Sequence, residues 1–197
     1  MSTFSFHANK AVTTGEGGSA STNDAELAAT MRLLVNHGMT PEEPYVHRIL
    51  GRKFRMTNLV AAVGVGQVQR WDDLVAARLR VSERYRELLP DACSGPACAP
   101  WARRSCWLHT IRVPRRTAVV DRLRGAGIDA RPIWPALDRQ PVLAHVSGNF
   151  PVAHAIAGAA MWLPTYGQLR DDKIQYIAEH VTAAVTDVGP GEALSHA

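Results

Sequence analysis

The 197 residues suffice for one full domain or a portion of a larger one. With 46% hydrophobic and 20% charged residues they describe an ordinary globular protein, and no apolar run is long enough to span a bilayer. The formal net charge is +4, but the densest basic group, Arg103 and Arg104 with Arg112, Arg115 and Arg116, is interrupted by apolar residues and reads as solvated loop and strand-edge charge, not a nucleic-acid patch.

The opening MSTFSFHANK lacks the charged start and apolar core of a signal peptide, so a cytoplasmic location is expected. Residues 3–7 alternate polar and aromatic side chains as a short strand does. The strand runs into Ala8-Asn9-Lys10 and then a glycine-rich turn, Thr13-Thr14-Gly15-Glu16-Gly17-Gly18. Glu16 is read as a turn residue whose glycine neighbours let the backbone bend. A helix is predicted over 23–36, with Asn23 and Glu26 as a capping box, Leu27, Met31 and Leu34 on one face, and Gly38 ending it.

A loop marked by Pro41 and Pro44 follows. Residues 57–89 are predicted helical with a break near Asp72, and Leu59, Val63, Trp71, Val75, Leu79 and Leu88 form an apolar stripe. Gly64 and Gly66 lie inside it without a preceding strand, so close helix packing is expected there, not a nucleotide loop. The Pro, Gly, Cys and Ala of 91–104 mark a linker. Its cysteines and the third one, Cys93, Cys98 and Cys106, fit neither a zinc site nor a secreted disulfide framework, and free thiols are expected.

Strands and helices then alternate. Strands are predicted at 107–113, 128–132 and 161–163, the last stopped by Pro164. Helices are predicted at 116–125, with Val119, Val120 and Leu123 inward, from Pro151 to about residue 160, and around Ile174, Ile177, Val181 and Val185. The Gly, Pro, Ser and Ala of the end predict a disordered tail over 188–197.

Of the 22 basic residues, Lys10, Lys53 and Lys173 are the lysines. A lysine just after a strand and before a glycine-rich turn is placed at a sheet's edge, where an amine can attack an aldehyde. The whole run is more specific. Ser5-Phe6-His7-Ala8-Asn9-Lys10 with the Thr13–Gly18 turn, the segment from Asn36-His37-Gly38-Met39 to Gly51-Arg52-Lys53-Phe54-Arg55-Met56-Thr57-Asn58, then Gly127-Ile128-Asp129-Ala130-Arg131-Pro132 and Trp162-Leu163-Pro164-Thr165 resemble, in order, the DegT/DnrJ/EryC1/StrS aminotransferases. The perosamine-synthase type is the most similar subfamily.

The resemblance implies an α/β architecture. It is that of the C-terminal half of a pyridoxal-phosphate-dependent transferase of fold type I, which is aspartate aminotransferase-like. Residues 1–56 would be the end of the large cofactor domain, 57–92 connecting helices and 93–187 a small mixed α/β domain. The cofactor implied is pyridoxal 5'-phosphate, and the reaction is transfer of an amino group from glutamate to a nucleotide-linked keto sugar by a homodimer. Lys10 matches the lysine that holds the cofactor covalently and moves the proton at the reacting carbon. Ser5 matches a serine on the cofactor phosphate, and His7 and Asn9 flank the pocket. Arg131 is placed either to hold a substrate phosphate or carboxylate or to form a structural salt bridge.

Departures from the family pattern are also visible. Lys53 replaces an asparagine that reaches the partner's cofactor phosphate across the dimer. Ser19-Ala20-Ser21-Thr22 replaces an apolar strand, and Asp138 replaces a common histidine. Family members carry a long N-terminal half before this lysine, with the ring that stacks on the cofactor, the carboxylate for its pyridine nitrogen and the main phosphate turn. The expectation is therefore an incomplete enzyme, completed by a separate N-terminal half, or a non-catalytic remnant or oligomerising partner. No metal, nucleic-acid or membrane partner is expected.

Overall fold

A computed structural model describes residues 1–93 and 95–189. The tail predicted over 188–197 therefore falls, from residue 190 onward, outside the described residues. The chain divides into two compact units, Met1–Leu74 and Val75–Ala197.

The first unit starts with a two-stranded ribbon. Strand β1 (Ser2–Ser5) pairs antiparallel with β2 (Gly18–Ser21), Ser2 opposite Ser21 and Ser5 opposite Gly18. Every residue of both strands is exposed, which suits the serines and alanine of β2. Helix α1 spans Ala25–Val35. Its cap is Asp24, not the expected Asn23: the Asp24 carboxylate accepts from the Glu26 and Leu27 amides, both at 3.0 Å. An ionised cap at the positive end of a helix outcompetes a neutral amide one residue earlier. At the other end the chain turns through left-handed His37 (φ 61°), and the Gly38 amide donates to Leu33 O at 2.8 Å, satisfying a terminal carbonyl.

Helix α2 spans Asn58–Val68, capped by Thr57, and α3 spans Trp71–Leu88. The expected break thus falls at residues 69–70. Leu59, Val63, Val65 and Val68 are all more than half exposed, and α2 has no buried residue. A helix that is apolar on every side ordinarily lies inside a core. The glycine expectation holds in part: a Cβ on Gly64 would stop 2.9 Å from Thr14 Cγ2, whereas one on Gly66 would meet open space.

The second unit has the core. Among the described residues, every buried hydrophobic side chain except Val12 belongs to it. Strand β3 (His109–Arg112), helix α4 (Arg116–Gly125), strand β4 (Arg131–Pro132), helix α5 (Pro151–Ala159), strand β5 (Ala160–Leu163) and helix α6 (Asp171–Val188) follow the predicted alternation. The strand order is β3-β5-β4, with both pairings antiparallel. Strand β4 is shorter than the expected 128–132. The Ala130 amide turns back onto Ile128 O at 2.8 Å, which uses up the start of that segment, and Pro132 has no N–H to extend the ladder.

The alternation of β3 points His109 and Ile111 inward and leaves Thr110 and Arg112 half-buried on the other face. Against the inner face pack Val119, Val120 and Leu123 of α4, Ile174, Ile177 and Val181 of α6, and Val81 and Tyr85 of α3. Tyr85 also donates its hydroxyl to Pro164 O at 3.0 Å. On the outer face Trp162 stands opposite both Thr110 and Arg131. Trp107, Trp134 and Trp162 form one aromatic group with ring centroids 4.7–5.7 Å apart. Among the described residues, no helix is long and apolar enough to cross a membrane, no His, Cys, Asp and Glu group could hold a metal ion, and Cys93, Cys98 and Cys106 are free.

Candidate active site

The segment that follows β1 folds back on itself. His7 bridges Gly15, the Phe6 amide donates to Gly17 O and the Thr14 amide to Phe6 O, both at 2.9 Å. The Lys10 amide donates to His7 O at 2.9 Å, so Lys10 lies on a tight turn whose stem is fixed by the glycine loop. Gly17 adopts φ 143°, and a Cβ there would meet Met56 Cε and Thr14 Oγ1, each at 2.9 Å. Only glycine closes this loop without displacement.

Three side chains that sequence reasoning did not single out hold the loop. Thr13 Oγ1 donates to Phe6 O at 3.0 Å and accepts from the Gly15 amide at 2.9 Å. Thr14 Oγ1 donates to Glu16 O at 2.7 Å. The Thr13 amide donates to Gln67 Oε1 of α2 at 3.4 Å. The Thr-Thr-Gly order is a hydroxyl-turn signal that could have flagged the first two; nothing local could have flagged Gln67.

On this frame Ser5, His7, Asn9 and Lys10 come together within six consecutive residues, with Lys10 half-buried and the other three exposed. Ser5 Oγ accepts from the His7 amide at 3.3 Å, which leaves its own O–H to donate elsewhere. The Asn9 amide donates to His7 Nδ1 at 3.4 Å. That contact makes Nδ1 the acceptor and puts the neutral ring's proton on Nε2, 3.6 Å from Glu16 Oε1. Glu16, read from sequence as a turn residue, thus also faces His7.

Lys53 and Arg131 are placed elsewhere. Lys53 is exposed and bridges Asn36 through its backbone. Arg131 lies in the second unit, where its guanidinium forks onto Asp129, Nε to Oδ1 at 3.0 Å and Nη2 to Oδ2 at 2.8 Å. The hydrogen bonds and charge of Arg131 hold the Asp129 carboxyl below its ordinary value. Asp138 accepts a hydrogen bond from His154 Nε2 at 2.7 Å, which ties the turn of residues 137–139 to α5.

Residues 1–182 match the DegT/DnrJ/EryC1/StrS aminotransferase family. The chain is 37% identical over 195 residues to a GDP-perosamine synthase of Caulobacter vibrioides, covering 94% of this chain and 52% of that protein. Its fold is similar to that of a DegT DnrJ EryC1 StrS aminotransferase from Brucella abortus (TM-score 0.84, 28% identity, 93% of this chain and 50% of that one). It is also similar to PseC of Helicobacter pylori, an aminotransferase involved in the biosynthesis of pseudoaminic acid (TM-score 0.82, 25% identity, 94% of this chain and 53% of that one). The chain spans about half the length of the relatives it matches.

Proposed function

Because the chain belongs to the DegT/DnrJ/EryC1/StrS aminotransferase family, we propose that it carries the amine-bearing part of a pyridoxal-phosphate-dependent enzyme that transfers an amino group, from glutamate, to a keto nucleotide sugar. The observation that supports this most directly is the position of Lys10: a half-buried primary amine on a turn braced by Thr13 and Thr14, inside the matched region. The name of the Caulobacter relative supports the nucleotide-sugar class.

The donor set fits one end of the cofactor. Pyridoxal phosphate, when bound, supplies an aldehyde and an electron-withdrawing ring. Lys10 would hold the aldehyde carbon through Nζ, and after displacement by the amino donor the same amine would take and return the proton at the reacting carbon. Ser5 would give its free O–H to the phosphate, and the Asn9 side chain would add an amide donor. His7, fixed by Asn9 and facing Glu16, would border the substrate. Lys53 would meet the phosphate of a partner subunit as a point charge, and Arg131 would contact substrate only by exchanging its Asp129 partner.

The exposed apolar residues of α2 favour a polypeptide cover over the first unit. In this reading the cover is the portion of the family fold that the chain does not span, on the same or a separate polypeptide, within a homodimer. A second reading, in which the chain is a non-catalytic oligomerising partner, draws on the same exposed helix.

Borohydride reduction after incubation with pyridoxal phosphate, followed by peptide mass analysis, tests the assignment. The chain is used alone and co-expressed with the complementary segment of a relative. A pyridoxyl group on the Lys10 peptide of the co-expressed protein is expected. Labelling that spreads over Lys53 and Lys173 equally would overturn it.

A further inference from the structure

All three cysteines of the chain line one cavity. It measures about 830 Å³ and lies in the second unit, between α3, the segment that follows it, and the edge and outer face of β3. The three thiols are not equivalent. Cys93 is 2% exposed and belongs to the hydrophobic core, and burial pushes its thiol up. Cys98 is exposed and Cys106 is half-buried. A thiolate, not a thiol, attacks a disulfide, so the exposed Cys98 reacts ahead of the two others.

The backbone between Cys98 and Cys106 permits them to meet. Residues 95–106 form no helix or strand. The chain turns at residues 99–102, where the Ala102 amide donates to Ala99 O at 2.9 Å and the Cys98 thiol donates to Ala102 O at 3.5 Å. A disulfide needs Cα atoms within about 7 Å of each other. This segment can reach that geometry without breaking a helix or sheet hydrogen bond, whereas Cys93 would have to leave the core. Burial raises the Cys106 thiol, but a hydrogen bond with Ser82 and the charges of Arg78 and Arg104 pull it the other way. Those groups would steady a thiolate formed there in a second step.

The same cavity is lined by Arg86, Arg104 and Arg112. The Arg86 and Arg112 guanidinium groups form no ion pair among the described residues, and Arg104 donates to Pro96 O. Glu83 and Asp91 also line the cavity without pairing with these arginines. A concave wall with surplus positive charge draws small anions in.

We propose that Cys98 and Cys106 are a redox pair, closed to an intrachain disulfide by a small carboxylate-bearing disulfide that the arginine wall attracts. The Cys98 thiolate attacks one sulfur of that molecule; a new S–S bond forms, the old one breaks, and the leaving thiolate takes up the proton that Cys98 gave. The Cys106 thiolate then attacks Cys98 Sγ, and its proton goes to the second departing thiolate. Two protein thiols are oxidised, and one external disulfide is reduced to two thiols. Neither cysteine lies in the unit that carries Lys10, so the pair is independent of the proposed aminotransferase chemistry.

Oxidised glutathione, which carries carboxylates, and 2-hydroxyethyl disulfide, which carries none, are the two probes for the full chain, with non-reducing peptide mass analysis as the readout. Oxidised glutathione is expected to yield a Cys98–Cys106 link within one chain and to leave Cys93 as a thiol. Cys106→Ser should stop at a glutathione adduct on Cys98, and Cys98→Ser should form neither the link nor an adduct on Cys106 at the native rate. Arg112→Ala should slow the reaction with oxidised glutathione, relative to that with 2-hydroxyethyl disulfide, by about threefold or more. Circular dichroism confirms that each variant is folded, and Cys106→Ala serves if Cys106→Ser is not. A link to Cys93, a link between chains, or no link with oxidised glutathione would overturn the proposal. So would the same ratio of the two rates in the native chain and in Arg112→Ala.

Discussion

Gly64 lies directly beneath Thr14: a Cβ added to Gly64 would stop 2.9 Å from the Thr14 methyl group, and Thr14 is itself buried in the loop that carries Lys10. The same helix has a second glycine, Gly66, whose Cβ would meet nothing within 4 Å. Replacing Gly66 by alanine should therefore stabilise α2 by about 1 kcal/mol, the ordinary helix-propensity gain. Gly64→Ala should gain less or lose, because Thr14 must shift. Thermal melts of the two variants side by side check this; equal midpoints would show that Gly64 is not a packing site.

A pH dependence follows from His109. Burial first, then the charges of Arg86 and Arg104, push its imidazole down from 6.5 to about 4. The unfolded chain binds a proton there as pH falls below 6.5 while the native chain refuses it until about 4. Stability is thus fully present above pH 6.5 and is lost as pH falls toward 4, by an amount on the order of 3 kcal/mol. Urea midpoints of the native chain should drop between pH 7 and 5, and His109→Asn should flatten that slope. An unchanged slope in the variant would place the titration elsewhere.

Asp138 and His154 meet at 2.7 Å, with side chains only 14% and 31% exposed. Partial burial makes this contact worth more than a surface pair, about 1–2 kcal/mol. His154→Ala and Asp138→Ala should each destabilise by about that amount, and the double variant should cost little more than either alone. Additive losses would mean that the two residues act separately.

Lys10→Ala should abolish cofactor labelling and turnover in a protein completed by the complementary segment. Lys53→Asn should leave both intact, because an amide can donate to a phosphate without an added charge. Labelling and kinetics of the two variants separate the roles. Turnover that survives in Lys10→Ala would sink the proposed mechanism, and lost cofactor binding in Lys53→Asn would make the ammonium a true phosphate ligand.

The parts of this fold that were legible in sequence are those set by local period. Helix α4 has the predicted span, and Val119, Val120 and Leu123 are buried as its 3.6-residue spacing demands. Helix α6 likewise buries Ile174, Ile177 and Val181. What depends on distant segments was not legible. The choice of Asp24 over Asn23 as cap turns on which carboxylate or amide reaches two backbone N–H groups. The hydrogen bond from Thr13 to Gln67 joins residues 54 apart. The lysine turn itself was legible through its motif, since its residues lie within one short run.

The order β3-β5-β4 has a consequence for synthesis on the ribosome. Strand β5 is the shared partner of both β3 and β4, yet Ala160–Leu163 is translated after either of them. A nascent chain that has emerged only as far as α5 can form helices, but it has no strand pairing available to this sheet. Met161 and Leu163, wholly buried in the finished protein, can take their places in the sheet only after both of its other strands have been made. Any ribosome pause before residue 160 would leave Ile111 and Leu123 without the cover of Ile174, Ile177 and Val181 of α6 for its full duration.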